Sequence, residues 1–159
     1  MTQRLLASLT IPGRPVVLKN SKQIIVVRGR RIIKSNPKVE AYQHRAIESL
    51  VRQWGDREPI RVPVSVAIKS FLPMRSDSGN LPDASNLYQC PEDLLQAAGI
   101  IEDDRQIEHH DGSRRVCMCD ICDERPIYKA GAKRGQRKPS CGNVKGCTKC
   151  FVDIEIWEA

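Results

Sequence analysis

The stretch from Pro82 to Ile107 constrains the fold of this 159-residue chain more than any other stretch. Its middle places apolar side chains at helical spacing, and Gly99 follows where a left-handed residue usually ends a helix. Asp83 precedes this helix and Asp104 follows it, so a chain that doubles back would bring carboxylates from both ends together. Paired carboxylates suit Mg²⁺ because that ion prefers oxygen ligands. The alternative is an aspartate at the helix N-cap followed by a solvated acidic turn.

The same stretch resembles the signature of the RusA family of Holliday junction resolvases, which are small dimeric Mg²⁺-dependent nucleases common in phages and prophages. The family pattern has an Asp-x-Asp-Asn loop, a helix with an internal acidic residue, a glycine and a closing pair of aspartates. The matching positions here are Asp83, Ser85, Asn86, Asp93, Gly99, Asp103 and Asp104.

The resemblance implies that Asp83 and Asp104 hold a catalytic Mg²⁺, that the substrate is branched DNA with four-way junctions, and that the protein is a homodimer. Three further residues would support the site: Asp103, Asn86 and Asp93. Two positions depart from the family, with Ser85 in place of an aspartate and Gln89 in place of a basic residue. A hydroxyl is a weaker Mg²⁺ ligand than a carboxylate. A second interpretation therefore stays open, namely a zinc-containing DNA-binding protein with a degenerate, non-catalytic acidic site.

His109 and His110 follow the acidic pair closely enough to be considered as catalytic groups. Their segment alternates like a strand, which would place adjacent side chains on opposite faces. We therefore expect at most one of the two to face the metal.

Charge and hydropathy narrow the class of protein. The formal net charge is +7 and the isoelectric point is near 9.2, which favours an acidic partner, with nucleic acid first. No apolar run approaches the roughly 20 residues that a membrane helix needs, and the N-terminus does not read as a secretory signal. We expect one cytoplasmic domain over residues 1–159, without membrane association or a small-molecule cofactor. By resemblance, it would be encoded by a phage or prophage.

The apolar patterns predict an α/β (α+β) domain with a small mixed sheet and helices packed on one side. The last two strands are expected to pair as an antiparallel hairpin, and Pro91 is expected to kink or restart the central helix. The predicted elements outside that helix are strands at 4–11, 61–71, 106–116 and 151–157, a hairpin at 24–33, and a helix between Asn36 and Gly55.

Basic residues concentrate at the tip of the predicted hairpin. A solvated turn accounts for one or two charges, whereas this cluster is typical of a segment that contacts phosphates. Its members are Arg28, Arg30 and Arg31 at the tip, with Lys19, Lys22 and Lys34 beside them.

A cysteine-rich insert at residues 117–150 lies within the last predicted hairpin. Two Cys-x-x-Cys pairs, Cys119 with Cys122 and Cys147 with Cys150, can offer four thiolates to one structural Zn²⁺ in a zinc-ribbon-like loop. Cysteines in a cytoplasmic protein favour metal binding over disulfides. Three alternatives stay open: other ligand choices, a clustered six-cysteine site and an iron–sulfur cluster. The alternate ligands are Cys117 and Cys141.

The same insert is strongly basic. Ten Lys or Arg residues stand against three acidic residues between positions 112 and 150. We therefore predict that zinc stabilises a segment that contacts DNA. The residues expected to do so are Lys133, Arg134, Arg137 and Lys138.

Overall fold

In the part of the chain that the structure describes, a mixed five-stranded sheet with two helices packed on it confirms the predicted α+β class. A computed structural model describes residues 3–17, 22–72, 83–118, 129–136 and 149–159. The elements in chain order are β1 (Leu5–Pro12), β2 (Lys22–Val27), β3 (Arg30–Ser35), α1 (Pro37–Trp54), β4 (Val64–Leu72), α2 (Ala84–Ala97), a single 3-10 turn (Asp104–Gln106), β5 (Ile107–His109), β6 (Arg114–Cys117) and β7 (Phe151–Glu158).

Strand β4 is the centre of the sheet. Strand β7 pairs antiparallel with one of its edges and carries β1, also antiparallel, on its far side. The other edge of β4 holds first β5 and then β6, both in parallel. Between them, the Ser113 hydroxyl accepts from the Ile68 amide (2.8 Å) and donates to the Val66 carbonyl (3.3 Å), so a side chain bridges the break in strand pairing.

The prediction that the last two strands form a hairpin was wrong. Residues 106–116 hold two short strands, and β4 separates both of them from β7. The physical reason is the composition of β4, whose residues are almost all buried and which is therefore most stable with both edges paired. The sequence patterns of adjacent strands indicate pairing between neighbours in the chain and cannot show that a third strand lies between them.

The cysteine-rich insert consequently begins and ends at one end of β4, on opposite sides of it. Cys117, the last residue of β6, lies beside Leu72, and Phe151, the first residue of β7, lies beside Phe71. The insert is therefore a crossover connection and not an excursion from a hairpin. Several predicted ligands and contacts lie outside the described residues: Cys119, Cys122, Cys141, Cys147, Lys19, Arg137 and Lys138.

One apolar core lies between the sheet and both helices. Helix α1 begins as predicted, with the Asn36 side chain accepting from the Lys38 amide (3.0 Å) and Pro37 in the first turn, and Gly55 follows its end. The core face of the sheet consists of Ala7, Leu9, Ile11, Val64, Val66, Ile68, Val152, Ile154 and Ile156. No helix among the described residues is long and apolar enough to span a membrane.

Helix α2 runs from Ala84 through Pro91 to Ala97 as one element, so of the two expected outcomes at Pro91 the fresh start was wrong, and the kink stays a prediction. Pro91 leaves the Leu87 carbonyl without its usual amide donor within the helix. Both residues are buried, as are Leu94 and Leu95 of the same helix. Burial of this apolar face offsets the lost hydrogen bond. Helix propensity alone would predict that the helix is interrupted at Pro91.

Candidate active site

The return of the chain after α2 brings the acidic turn back toward the helix. The amide of Ile100 donates to the Leu95 carbonyl (3.0 Å) and that of Gly99 to the Gln96 carbonyl (3.0 Å). This is the Schellman arrangement, and it requires the positive φ of 68° found at Gly99. Ile100 and Leu95 are both fully buried, so packing and hydrogen bonds fix the same exit direction.

Asp103 and Gln106 shape the acidic turn that follows. The Asp103 carboxylate accepts from the Arg105 amide (2.9 Å), and the Gln106 side-chain oxygen accepts from the Asp103 amide (3.0 Å), which forms a capping box. The Gln106 side-chain nitrogen also donates to the Ile60 carbonyl (3.0 Å), which attaches the turn to the segment before β4. The hydrogen bond from the Arg105 amide lowers the pKa of Asp103. The structure thus gives Asp103 a capping role.

Three carboxyl groups interact electrostatically where α2 and this turn approach each other: Glu92 and Asp93 from the helix, and Asp104 from the turn. Burial is the main cause that raises the pKa of Glu92. The interaction with His110 opposes this shift, and the charges of Asp93 and Asp104 add to it. The pKa of Asp93 is also raised, by burial and then by Asp104. These negative charges repel one another, so the cluster favours either a bound proton or a nearby cation.

His110 lies against the same cluster. Its Nε2 atom is 3.3 Å from Glu92 Oε1, and its ring stacks on Tyr88 with centroids 5.6 Å apart. Tyr88 and Glu92 are one helical turn apart on α2, so they present one face to the histidine. Both candidate histidines are exposed, and of the two it is His110 that lies against the acidic cluster, whereas His109 is the last residue of β5.

Sequence reasoning missed Glu92 and Tyr88. Their spacing of four residues could have placed them on one face of α2, because side chains at that spacing are neighbours. The position of His110 beside Glu92 could not be predicted from spacing along the chain. It depends on the parallel pairing of β5 with β4, which connects segments more than forty residues apart.

Asp83 lies at the other end of α2, in the N-cap position, with Ser85 exposed in the first turn. Its carboxylate makes no capping hydrogen bond, although its backbone carbonyl accepts from the Asn86 amide (3.1 Å). The interpretation of Asp83 as an N-cap side chain is therefore not supported. Ten residues of helix separate Asp83 from Asp93, which is about 15 Å along the axis. That Asp83 and Asp104 share one ion stays a prediction.

Among the residues that the structure describes, no three His, Cys, Asp or Glu side chains are grouped closely enough to hold a metal ion. Mg²⁺ commonly uses only one or two protein carboxylates and completes its shell with water and substrate phosphates. The oxygen donors of Asp93 and Asp104 fit that chemistry, and a cation between them would relieve their repulsion.

Cys90 differs from the cysteines of the insert. It is a buried residue of α2, and burial raises the pKa of its thiol to about 12. A thiol that stays protonated near neutral pH is not available as a thiolate ligand. Cys90 is thus part of the core, as expected of a packed thiol.

The half-buried carboxyl group of Glu92 leads to a prediction about pH. A raised pKa means that the folded protein binds this proton more tightly than the unfolded chain does. Relative to Glu92→Gln, the free energy of unfolding of the wild-type protein should therefore decrease as pH rises from the ordinary carboxyl range through the raised pKa. Urea unfolding between about pH 4 and pH 8 measures the difference. Glu48→Gln, on an exposed part of α1, controls for the loss of one negative charge, and a pH-independent difference for Glu92→Gln would contradict the prediction.

The fold and the site first define a class: an α+β domain with a carboxylate cluster held between a helix and the edge of a mixed sheet. A family model described as Endodeoxyribonuclease RusA matches residues 12–115, which is more than half of the chain. The chain therefore belongs to the RusA endodeoxyribonuclease family, and the resemblance found in its sequence is confirmed. Membership implies a nuclease of the Holliday junction resolvase type, which acts on branched DNA with a divalent metal. No curated protein matches the chain.

Proposed function

We propose that this protein is a Mg²⁺-dependent endonuclease that cuts four-way DNA junctions during recombination and repair. The observation that supports this proposal is the electrostatic interaction of Asp104 with Asp93 and Glu92, all three within the matched family region. The net charge of +7 supports a polyanionic substrate.

In this proposal Asp83 and Asp104 hold the metal, and Asp93, Ser85 and Asn86 support the site. When bound, Mg²⁺ would activate water and stabilise the charge that develops on the phosphate. Asp103 orders the turn that presents Asp104, through its cap to the Arg105 amide. A homodimer would place two such sites about a two-fold axis, which suits paired cuts across a two-fold junction.

The direct experiment incubates the purified protein with an end-labelled four-way junction, in Mg²⁺ and in EDTA, beside a linear duplex of the same sequence. We expect paired cuts in the junction only with Mg²⁺ and little cutting of the duplex. Binding to the junction without cutting in any divalent metal would instead indicate a DNA-binding protein with a degenerate site.

The hydroxyl at Ser85 predicts a weak metal site. We expect Ser85→Asp to lower the Mg²⁺ concentration for half-maximal cleavage by roughly tenfold, because an added carboxylate supplies charge to the site. Ser85→Asn is the matched control, because asparagine has nearly the same shape as aspartate but carries no charge. An unchanged Mg²⁺ requirement in Ser85→Asp would show that another group already fills this place.

We further propose one structural Zn²⁺ per chain in the insert, bound by Cys119, Cys122, Cys147 and Cys150, with Cys117 and Cys141 as alternates. The two ends of the insert start from the same end of β4, so one ion could bind thiolates from both of its halves. The basic residues Lys133 and Arg134 are exposed in this segment and are proposed to contact DNA.

Zinc removal should weaken DNA binding without changing the Mg²⁺ requirement of cleavage. We expect about one zinc per wild-type chain, and less in Cys119→Ser, with a smaller salt dependence of binding because fewer cations are presented to phosphates. Cys90→Ala is the control, since Cys90 lies in the core and should leave the zinc content unchanged. Full zinc content and an unchanged salt slope in Cys119→Ser would contradict this ligand choice or this role of the insert.

A further inference from the structure

The β2–β3 hairpin presents an apolar surface that the core does not use. Its strands form a separate two-stranded sheet, in which Ile24 pairs with Ile33 and Val26 pairs with Arg31. Paired residues in an antiparallel sheet share a face. On this face Ile24, Ile33 and Val26 are 68%, 68% and 67% exposed. Such a contiguous apolar surface on a projecting hairpin is typical of a binding site.

The charge of the hairpin limits what can cover this surface. Between Lys22 and Ser35 it carries only positive charges and no acidic residue. The described cations are all exposed: Lys22, Arg28, Arg30, Arg31 and Lys34. A second copy of this hairpin would bring positive charges together, and so would any other basic protein. A polyanion with apolar groups of its own would pair with the cations of the hairpin and also cover its apolar side chains.

The turn of the hairpin supports a binding role for its tip. Arg28 and Gly29 both have positive φ, at 49° and 76°, as in a type I′ turn. Asparagine or glycine is the residue usually found at the first of these positions, because other side chains are strained there. An arginine held in that conformation places a guanidinium at the tip at a conformational cost. Strain of this kind is typical of functional segments.

We propose that the face formed by Ile24, Val26 and Ile33 docks against unstacked bases at the branch point of a DNA junction. The surrounding arginines would bind the flanking phosphates. Isoleucine side chains are among the apolar groups that proteins insert at opened base steps. A branch point exposes base faces that a continuous duplex keeps stacked, so this contact favours branched over linear DNA. The inference rests on the proposed function for its substrate, but it concerns binding and not cleavage.

The test compares binding to a four-way junction and to a linear duplex of equal length, measured by anisotropy in EDTA so that no cleavage occurs. The double variant Ile24→Thr with Val26→Thr keeps β-branched side chains and removes apolar surface. We expect it to bind the junction about tenfold more weakly and the duplex within about twofold. Its salt slope should not change, because no counterion release is lost.

Two comparisons separate this contact from electrostatics. Arg31→Gln, opposite Val26, should weaken binding to both DNAs and reduce the salt slope by about one. Val51→Thr removes a similarly exposed apolar side chain from α1 and should leave both affinities unchanged. A 2-aminopurine base at the branch point should brighten on binding of wild type, and less with the double variant.

Equal losses on junction and duplex, or no loss on the junction, would overturn the inference. The inference would also be overturned if the wild type sedimented as a dimer and the double variant as a monomer. The surface would then be an interface with a second copy of this chain. Should the double variant fail to fold, Ile33→Thr on the facing strand makes the same test with one substitution. A wild-type protein that binds junctions selectively but never cuts them would refute the proposed function alone. One that cuts junctions without preferring them in binding would refute this inference alone.

Discussion

Asp104→Asn is expected to reduce junction cleavage by about a thousandfold or more while leaving junction binding intact or tighter. The carboxylate is a proposed metal ligand that interacts electrostatically with Asp93, and loss of metal assistance removes several kcal/mol of transition-state stabilisation. Removing a negative charge near the DNA phosphates should also reduce repulsion. Single-turnover cleavage in saturating Mg²⁺, together with anisotropy in EDTA, measures both effects.

Glu102→Gln is the matched control for this substitution. Glu102 lies two residues earlier in the same acidic turn, is exposed, and pairs with Arg61 at 2.9 Å. Such exposed ion pairs contribute little to stability, so this variant should cut within a few-fold of wild type. Cleavage by Asp104→Asn at the wild-type rate would remove Asp104 from the site. An equal loss in both variants would point to the overall charge of the turn.

Leu95→Ala should lower the free energy of unfolding by about 3 kcal/mol, the middle of the range for deletion of a large buried side chain. Leu95 is fully buried and its carbonyl accepts the Schellman hydrogen bond from Ile100. The substitution therefore leaves a cavity at the point where α2 directs the chain toward Asp104. Urea unfolding at a fixed protein concentration measures the loss, with an unchanged m value expected.

Gln96→Ala provides the comparison on the same helix, since Gln96 is exposed and alanine favours helix. Its free energy of unfolding should stay within about 0.5 kcal/mol of wild type. A loss below about 1 kcal/mol in Leu95→Ala would mean that the site closes around the deleted side chain. In that case α2 would be held mainly by its other buried residues.

The family and the ends of the helices could be predicted from the sequence. Asn36 followed by Pro37 predicted the start of α1, and Gly99 predicted the end of α2, because capping and positive φ are properties of a few adjacent residues. The β2–β3 hairpin was predicted from the turn residues Arg28 and Gly29 between two apolar runs. These signals are short-range and largely independent of what packs against them.

The carboxylate motif was also present in the sequence as residue types, but its geometry was not. Asp83 was considered as a helix N-cap, but its side chain does not cap, whereas Asp103, which was assigned to the metal site, caps the acidic turn with its side chain. The contact between Glu92 and His110 depends on where α2 lies against the edge of the sheet. Such a contact has no spacing rule along the chain, because its two residues belong to different elements.

Tertiary structure decided the topology. The sequence determined that residues 106–116 and 151–157 favour extended structure, but their placement on opposite edges of β4 comes from the almost complete burial of that strand. Likewise, Pro91 disfavours a continuous helix locally, and the buried face shared with Leu94 and Leu95 outweighs that preference. The chain by itself specifies the local conformations and the chemical groups, whereas long-range burial of apolar surface determines which strands pair and which carboxylates meet.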